Sequence, residues 1–336
     1  MSKIYEWNLM FYTFTDNDLE VGSFRDLAKL TSNNYTYSNV IIHMLLDTAT
    51  MGSYLIQITG NPYQSGNISM KRLPPVDMSK SSTLQHFIEH SIQSGPSHRK
   101  ALILGGHGSG WLLLTEEDSA ISAAKLGHIF RSTPVKLDLL CFDNCLMSTL
   151  ETMNELHDCV DYVIAYQDYA GWDGIIETSM IKHFDDVKIS TLELARELVQ
   201  SLLIKINERV NDALKSDRTN PPDPTDVSII SISQVSELVQ YIKSLGRLKQ
   251  PTNTDFCVDP NYWHLQDLTS IVQSSVPLEK YYQYLEYFKT VVVVYQQSIN
   301  KHNRYHYGLS CIVDPEKDTF DTWKLWKELS LRLLFQ

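Results

Sequence analysis

The sequence lacks the features that would tie it to a membrane or to nucleic acid. Its longest aliphatic stretch is the short valine run at 291–294, far below the roughly 18 apolar residues of a membrane-spanning helix. It has no clustered basic stripe, and 29 Lys and Arg residues stand against 40 Asp and Glu, which gives a net charge of −11. We therefore expect neither a membrane nor a nucleic acid as partner, whereas a cationic substrate would be attracted.

Disulfide spacing and an export signal are also missing. The five cysteines are an odd number spread over 336 residues, which is not typical of a disulfide framework. The opening segment MSKIYEWNLMFYTF has no basic region followed by an apolar core and a cleavage site, as a secretory signal would have. We therefore expect reduced thiols and a cytoplasmic protein.

Three prolines lie close together in the segment SDRTNPPDP at 216–224. Three prolines there exclude both a helix and a central strand. This segment is the best internal boundary. We predict a core over 1–220 that carries the two motifs described below, and a continuation of the same α/β fold over 221–336.

Strands and helices are predicted to alternate along the chain. Short apolar segments rich in β-branched or aromatic residues predict strands over 7–14, 39–47, 53–59, 101–106, 135–142, 161–166, 226–232 and 307–313. Amphipathic periodicity predicts helices over 18–30, 82–92, 121–130, 146–157, 175–184, 191–214, 235–245 and 265–272, and we favour a helix over 281–300 despite its four valines. This alternation predicts an α/β sandwich with a largely parallel sheet covered on both faces.

The first motif that carries chemistry is ALILGGHGSGW, in which an apolar strand runs into His107 surrounded by four glycines. Glycines free the backbone for tight turns and for close approach by a ligand, so this histidine is no ordinary packing residue. A glycine-rich turn with an incidental histidine is the plain alternative. A phosphate-binding loop lacks its Gly-Lys-Ser/Thr ending, and an esterase oxyanion loop lacks its G-x-S-x-G partner anywhere in the chain.

The second motif is LDLLCFDNCLM, in which a strand ends just before Cys145 and a predicted helix opens at about 146. A thiol at a helix start lies near the positive end of the helix dipole, which favours the thiolate. Cys145 is therefore the best nucleophile candidate. Cys141 lies inside an apolar strand, and Cys159, Cys257 and Cys311 have no such context, so we expect these four to be structural.

A histidine after one strand and a cysteine after the next supply a base and a nucleophile for acyl transfer. His107 would move protons while Cys145 attacks the carbonyl carbon, and the backbone N–H groups of Gly108 and Cys145 are candidates for the oxyanion hole. A zinc site is the competing interpretation. It would combine Cys141, Cys145, His157 and Cys159, but the strand and helix would point these side chains in unrelated directions.

At these two motifs the chain resembles the clostripain family of cysteine peptidases, which belongs with caspases, gingipains and separase. The family pattern H-G-x-G-W is matched by HGSGW at 107–111, and D-A-C-L-M is matched by DNCLM at 143–147, with Glu151 on the following helix. The segments TDNDLE at 15–20 and YGLSCIVDP at 307–315 also resemble the family. The resemblance covers most of the chain.

The resemblance implies a caspase-like three-layer α/β sandwich, catalysis by His107 and Cys145, and cleavage of a protein or peptide after Arg or Lys. Asp143 matches the acidic position that lines the family's specificity pocket, where a carboxylate would pair with a basic side chain. Asp173 in GWDG is a second pocket acid by its approximate position, or else a turn aspartate. Asn144 departs from the family, which has a small residue there.

The resemblance also bears on how a protease of this kind is regulated and on an alternative, non-catalytic function. A cytoplasmic protease of this kind needs restraint, so we expect a regulatory protein, ligand or ion. No cofactor is required for the chemistry, and calcium is a candidate activator although no EF-hand loop is found. The 37 residues between His107 and Cys145 leave little room for an excised linker. The alternative is a catalytically silent relative that acts as a binding or scaffold module.

Overall fold

A computed structural model of the protein describes residues 3–32, 35–116, 119–170, 174, 178–215, 225–249, 258, 265–299 and 306–313. The strands are β1 (Tyr5–Thr15), β2 (Tyr37–Thr48), β3 (Tyr54–Gly60), β4 (Ile68–Arg72), β5 (Ser97–Gly105), β6 (His107–Gly108), β7 (Leu112–Glu116), β8 (Ser119–Ser122), β9 (Leu137–Asp143), β10 (Val160–Ala165), β11 (Asp226–Ser231), β12 (Leu265–Asp267), β13 (Val292–Gln297) and β14 (Ser310–Ile312). The helices are α1 (Glu20–Thr31), α2 (Ser81–Ser94), α3 (Ala123–Ser132), α4 (Leu150–Glu155), α5 (Thr178–Phe184), α6 (Thr191–Lys215), α7 (Val235–Ser244), α8 (Leu268–Ser275) and α9 (Leu278–Val291).

Nine strands form one sheet in the order β13-β11-β10-β9-β5-β1-β2-β3-β4. The five central strands, from β10 to β2, run parallel, while the strands at both edges pair antiparallel. Two small sheets, β6-β7-β8 and β12-β14, lie outside it. The predicted α/β sandwich with a largely parallel sheet is confirmed.

Alternation of apolar side chains along the central strands produces the three layers. On β1, Leu9 and Phe11 belong to the core that packs with α5 and α6, whereas Met10 and Tyr12 belong to the core that packs with α2, α3, α7 and α9. Successive side chains of a strand point to opposite faces. A strand that is apolar at every position is therefore buried between two helical layers.

The predicted start of the helix after Cys145 is wrong. α4 begins at Leu150, and Thr149 caps it by accepting the N–H of Thr152. The preceding residues are extended, since the N–H of Ser148 donates to Tyr166 and Thr149 forms a bridge with Ser310. The helix dipole therefore does not act on the thiol, contrary to the sequence-based argument.

Two other segments contain a strand where only a helix was predicted. The valine run is divided, because α9 ends at Val291 and β13 continues as an edge strand against β11. β-branched side chains suit a sheet edge with an available partner better than a helix. The predicted helix over 265–272 begins as the short strand β12, which pairs with β14, before α8 starts at Leu268.

The proline-rich segment 216–224 lies outside the described residues. β11 and β13, which follow it, join the same sheet as the strands that precede it. The two-part division at 220 stays a prediction. Within the described ranges, no helix is long and apolar enough to cross a membrane.

Glu151 ties α4 to β14 inside the core. It is buried, its Oε1 accepts the N–H of Ile312 at 3.1 Å, and its Oε2 has no hydrogen-bond partner among the described residues. Burial raises the pKa of Glu151 to about 8, because an ionised carboxylate is poorly solvated there. The residue is therefore protonated in the folded protein at neutral pH.

We predict that Glu151→Gln stabilises the protein increasingly as pH rises. Below the unfolded pKa of about 4.3 both states hold the proton, so the wild type loses nothing there. As pH rises towards 8 the unfolded chain ionises and the folded chain does not, which lowers the free energy of unfolding by up to ~1.4 kcal/mol per pH unit. Denaturant unfolding at pH 5, 6.5 and 8 checks this.

Glu193→Gln is the control for this measurement, because hydrogen bonds from Ser190 lower the pKa of Glu193. The contribution of that carboxylate to stability changes only near and below its unfolded pKa of about 4.3, so the difference between this variant and the wild type should be nearly constant from pH 5 to pH 8. A benefit of Glu151→Gln that is equal at pH 5 and pH 8 would contradict the prediction.

Candidate active site

The ends of β5 and β9 bring the two motifs to the same edge of the sheet. The strands pair in parallel, with Gly105 beside Asp143. His107 follows Gly105 by two residues, and Cys145 follows Asp143 by two residues. Both side chains are partly exposed. The two predicted residues therefore leave neighbouring strands at the same level.

Gly108 lies directly against the segment that carries Cys145. A Cβ atom added to Gly108 would lie 2.6 Å from the carbonyl oxygen of Cys145 and 2.9 Å from Cβ of Asn144, so the approach requires a glycine. Ser109 donates its N–H to Leu112 in β7, and N–H groups alternate in direction along an antiparallel strand. The N–H of Gly108 therefore points away from β7, to a side of β6 that no strand covers in the described part of the chain.

Asn144 joins the two loops. Its side chain is fully buried, and Nδ2 donates to the carbonyl oxygens of Gly106 at 2.8 Å and His107 at 3.3 Å. The sequence showed this asparagine only as a departure from the family's small residue. In the structure it binds the backbone of the histidine loop, so its amide holds that loop beside the cysteine segment.

Asp18 is a site residue that the sequence analysis did not single out. It lies in the loop between β1 and α1, and its Oδ1 is 2.7 Å from Nε2 of His107. The hydrogen bond to His107 is the largest cause of the lowered pKa of Asp18. A signal existed, because β1 pairs with β5 in parallel and an acidic loop after β1 must lie beside the loop after β5.

The thiol of Cys145 is supported by the loop that follows β10. The N–H of Ala170 donates to Sγ at 3.3 Å. Leu146 adopts the left-handed region with φ 67°, a conformation that costs a non-glycine residue about 1 kcal/mol. Its N–H donates to the carbonyl oxygen of Asp168 at 2.9 Å. A backbone donor and a strained turn therefore position the thiol where the sequence predicted a helix dipole.

Two buried carboxylates hold that loop in place. Oδ1 of Asp226 accepts the N–H groups of Gln167 and Asp168, each at 3.0 Å. The side chain of Gln167 donates to Asp267 at 2.9 Å. Burial raises the pKa of Asp267 to about 6. These partners lie 58 to 100 residues apart in sequence, which is why no local pattern revealed them.

A cavity of about 430 Å³, including its open mouth, lies beside Asp143, and we call it the strand-end cavity. It is lined by Phe11, Thr13, Ser23, Asp26, Leu30, Met44, Ile103, Gly105 and Asp143. Asp173 lies outside the described residues. Its neighbour Gly174 is described, and a Cβ atom there would lie 3.1 Å from Oδ2 of Asp143 and 3.5 Å from Oδ2 of Asp26.

The other described cysteines differ from Cys145 in burial. Cys141, Cys159 and Cys311 are buried, and desolvation raises the pKa of each thiol. Cys257 lies outside the described residues. No group of three or more His, Cys, Asp or Glu side chains within the described ranges could hold a metal ion. The described geometry thus offers one accessible thiol beside a histidine.

We predict that Asn144→Ala lowers the free energy of unfolding by about 2 kcal/mol, because two partly buried carbonyl oxygens lose their donor. Thermal unfolding of the variant measures this. Asn61→Ala serves as control, since the amide of Asn61 donates at 3.4 Å to Thr36 near the surface and should change stability by less than about 0.5 kcal/mol. Equal stability of the two variants would contradict the role assigned to Asn144.

Comparison with known proteins agrees with this geometry. A family model described as the clostripain family matches residues 11–327, and no curated protein matches. Among solved structures, a secreted C11 cysteine protease from Bacteroides thetaiotaomicron with an irreversible peptide inhibitor has a TM-score of 0.76 at 15% identity, with 96% of each chain covered. An inactive zymogen C11 protease from Parabacteroides distasonis has a TM-score of 0.68 at 16% identity, with 98% of each chain covered.

At such low identity the structural likeness shows the fold, and it confirms the caspase-like α/β sandwich. The family model identifies the family, because its match covers nearly the whole chain and includes both motifs, HGSGW and DNCLM. The protein therefore belongs to the clostripain family of cysteine proteases.

Proposed function

We propose that this protease hydrolyses peptide bonds after Arg or Lys, with Cys145 as nucleophile and His107 as general acid and base. The observation that supports it best is the register of β5 and β9, which places both residues two positions beyond a paired Gly105 and Asp143. Asp143 lines the cavity at the same strand ends. Nucleophile, base and a candidate pocket acid are thus neighbours.

The chemistry follows acyl transfer. His107 takes the proton of the Cys145 thiol, Sγ attacks the carbonyl carbon, and the negative charge develops on the carbonyl oxygen. The backbone N–H groups of Gly108 and Cys145 are the candidate donors to that oxygen. His107 then protonates the leaving amine as the C–N bond breaks, which leaves a thioester. Water attacks the thioester carbon and gives its proton to His107, and the C–S bond then breaks, which releases the acid and restores the Cys145 thiolate.

The second part of the proposal concerns the residue before the scissile bond. The apolar side chains of Phe11, Leu30, Met44 and Ile103 line part of the strand-end cavity. Asp143 contributes a carboxylate at the end of β9. A carboxylate that lines such a cavity attracts a guanidinium or ammonium and repels an acidic side chain. The net charge of −11 acts in the same direction.

Asp18 has a positioning role in this proposal. Its carboxylate holds Nε2 of His107, which fixes the ring orientation and leaves Nδ1 for proton exchange. It also stabilises the imidazolium that forms during attack. Because the side chain of Asp18 is 76% exposed, solvent weakens the interaction, and the contribution is modest.

We predict that cleavage requires Arg or Lys before the scissile bond and is lost in Cys145→Ala and His107→Ala. Hydrolysis of a peptide panel that differs only at that residue tests this, with calcium and with EDTA, because calcium stays a candidate activator. Circular dichroism of both variants shows that they remain folded. Equal cleavage after Arg, Leu and Asp would contradict the pocket assignment.

Silence of the folded wild type under every condition would favour the alternative, a catalytically silent binding module, or a protease that waits for a regulatory partner. Addition of a cell extract followed by the same panel separates these two. The cytoplasmic location also stays a prediction, and the similar proteases from Bacteroides thetaiotaomicron are secreted proteins.

We predict that Asp18→Asn lowers kcat about threefold with little change in KM, since a largely exposed charge pair contributes about 0.7 kcal/mol. Steady-state kinetics on an Arg reporter measure both constants. Asp16→Asn removes the same charge from the same loop without contact to His107 and serves as control. Asp18→Glu should recover part of the rate. A change confined to KM would contradict the positioning role.

A further inference from the structure

We propose that Asp26 of α1 is a second specificity-determining carboxylate, which with Asp143 receives the basic side chain of the substrate in the strand-end cavity. The inference rests on the proposed function and adds to it a residue outside both sequence motifs. Asp173, which the sequence analysis named as a second pocket acid or else a turn aspartate, stays a prediction.

The first observation is the position of Asp26 on its helix. Ser23, Asp26 and Leu30 are spaced i, i+3 and i+7, so they share one face of α1. Ser23 and Leu30 are 5% and 2% exposed, which shows that this face packs on the sheet. The side chain of Asp26 is 35% exposed, so it lies at the margin of this face, where its carboxylate meets both the cavity and solvent.

The second observation is the convergence of Asp26 and Asp143. Both line the cavity. A Cβ atom added to Gly174 would lie 3.5 Å from Oδ2 of Asp26 and 3.1 Å from Oδ2 of Asp143. The two oxygens are therefore at most 6.6 Å apart. Two carboxylates this close to each other can both accept hydrogen bonds from one planar guanidinium. The arrangement suits a cationic ligand.

The third observation is the layering of the cavity wall. Thr13, Gly105 and Asp143 form one row across β1, β5 and β9, and Phe11 and Ile103 form a row one step deeper. Asp143 therefore lies at the level of the strand ends, above an apolar floor. A cation that enters from the side of Cys145 meets this carboxylate before the floor, which would not solvate its charge.

Asp26 already has one cationic neighbour. Nζ of Lys29 lies 3.3 Å from Oδ1 of Asp26, one helical turn away. The pair is partly exposed, so the attraction is weak. A substrate cation that binds Oδ2 competes with Lys29 for the charge of the same carboxylate. Lys29 therefore acts against the ligand, whereas Asp26 favours it.

Arginine is the side chain that fits two carboxylates best. Its planar guanidinium has five N–H donors directed to different edges, so it can donate to two acids at once. The ammonium of lysine is a compact charge with three donors and pairs best with one acid. We infer that Asp143 serves both basic side chains, while Asp26 adds a preference for Arg over Lys.

The test uses reporters with Arg, Lys or citrulline before the scissile bond, because citrulline keeps the shape of Arg without its charge. We expect Asp26→Asn to lower kcat/KM on the Arg reporter about tenfold, mainly through KM, and to affect the Lys reporter less. Lys29→Met should raise kcat/KM on Arg. Citrulline should respond to neither variant. A merely structural role would not produce changes of opposite sign.

Asp212 and Lys215 on α6 supply matched controls, since they form the same kind of i, i+3 pair on an exposed surface. Asp212→Asn and Lys215→Met remove the same charges far from the cavity in sequence. If Asp26→Asn changes the Arg reporter no more than Asp212→Asn does, the inference is wrong. The proposed function would stand in that case, provided that cleavage still depends on Cys145.

A binding measurement keeps the inference testable without turnover. Agmatine, a small alkylguanidine, is titrated by calorimetry into Cys145→Ala protein with and without Asp26→Asn. Binding that weakens about tenfold in the double variant supports the inference. Unchanged binding, or no binding to the Cys145→Ala protein, overturns it. Thermal unfolding of each variant verifies that the helix remains folded.

Discussion

The parallel pairing of β5 with β9 is the constraint on which the site depends. Parallel strands place their carboxyl ends at one edge of a sheet, and the register that sets Gly105 beside Asp143 brings His107 and Cys145 to the same level. A shift of this register by one residue would turn every buried side chain to the other face of the sheet. The apolar cores on both faces therefore also secure the relative position of base and nucleophile.

Hydrogen bonds of polar groups fix the conformation of the loops, which the sheet by itself only brings close to one another. Asn144 joins the cysteine segment to the histidine loop, and Asp226 holds the loop whose Ala170 N–H reaches the thiol. The left-handed turn at Leu146 shows that this segment is held against its own preference. Buried hydrogen bonds stabilise such a turn because breaking one leaves a desolvated polar group.

Acidic side chains perform different tasks according to where the fold places them. Asp18 is largely exposed and faces His107, Asp143 and Asp26 face a cavity, and Glu151 is buried and protonated. Burial and neighbours decide whether a carboxyl acts as a charge, a ligand or a neutral hydrogen-bonding group. Of the acids at the site, Asp143 belongs to the cysteine motif, whereas Asp18 and Asp26 lie outside the histidine and cysteine motifs.

The sequence by itself determined the sheet, the layers and the two motif residues, because apolar alternation, glycines after a strand and a cysteine after a strand are local signals. It did not determine the strands β12 and β13, because the fold decides whether a partner strand is available at those positions. Nor did it determine the contact of Asp18 with His107, which joins residues 89 positions apart, or the approach of Asp26 to Asp143. Those contacts arise only when strands distant in sequence become neighbours, so the tertiary structure alone decided them.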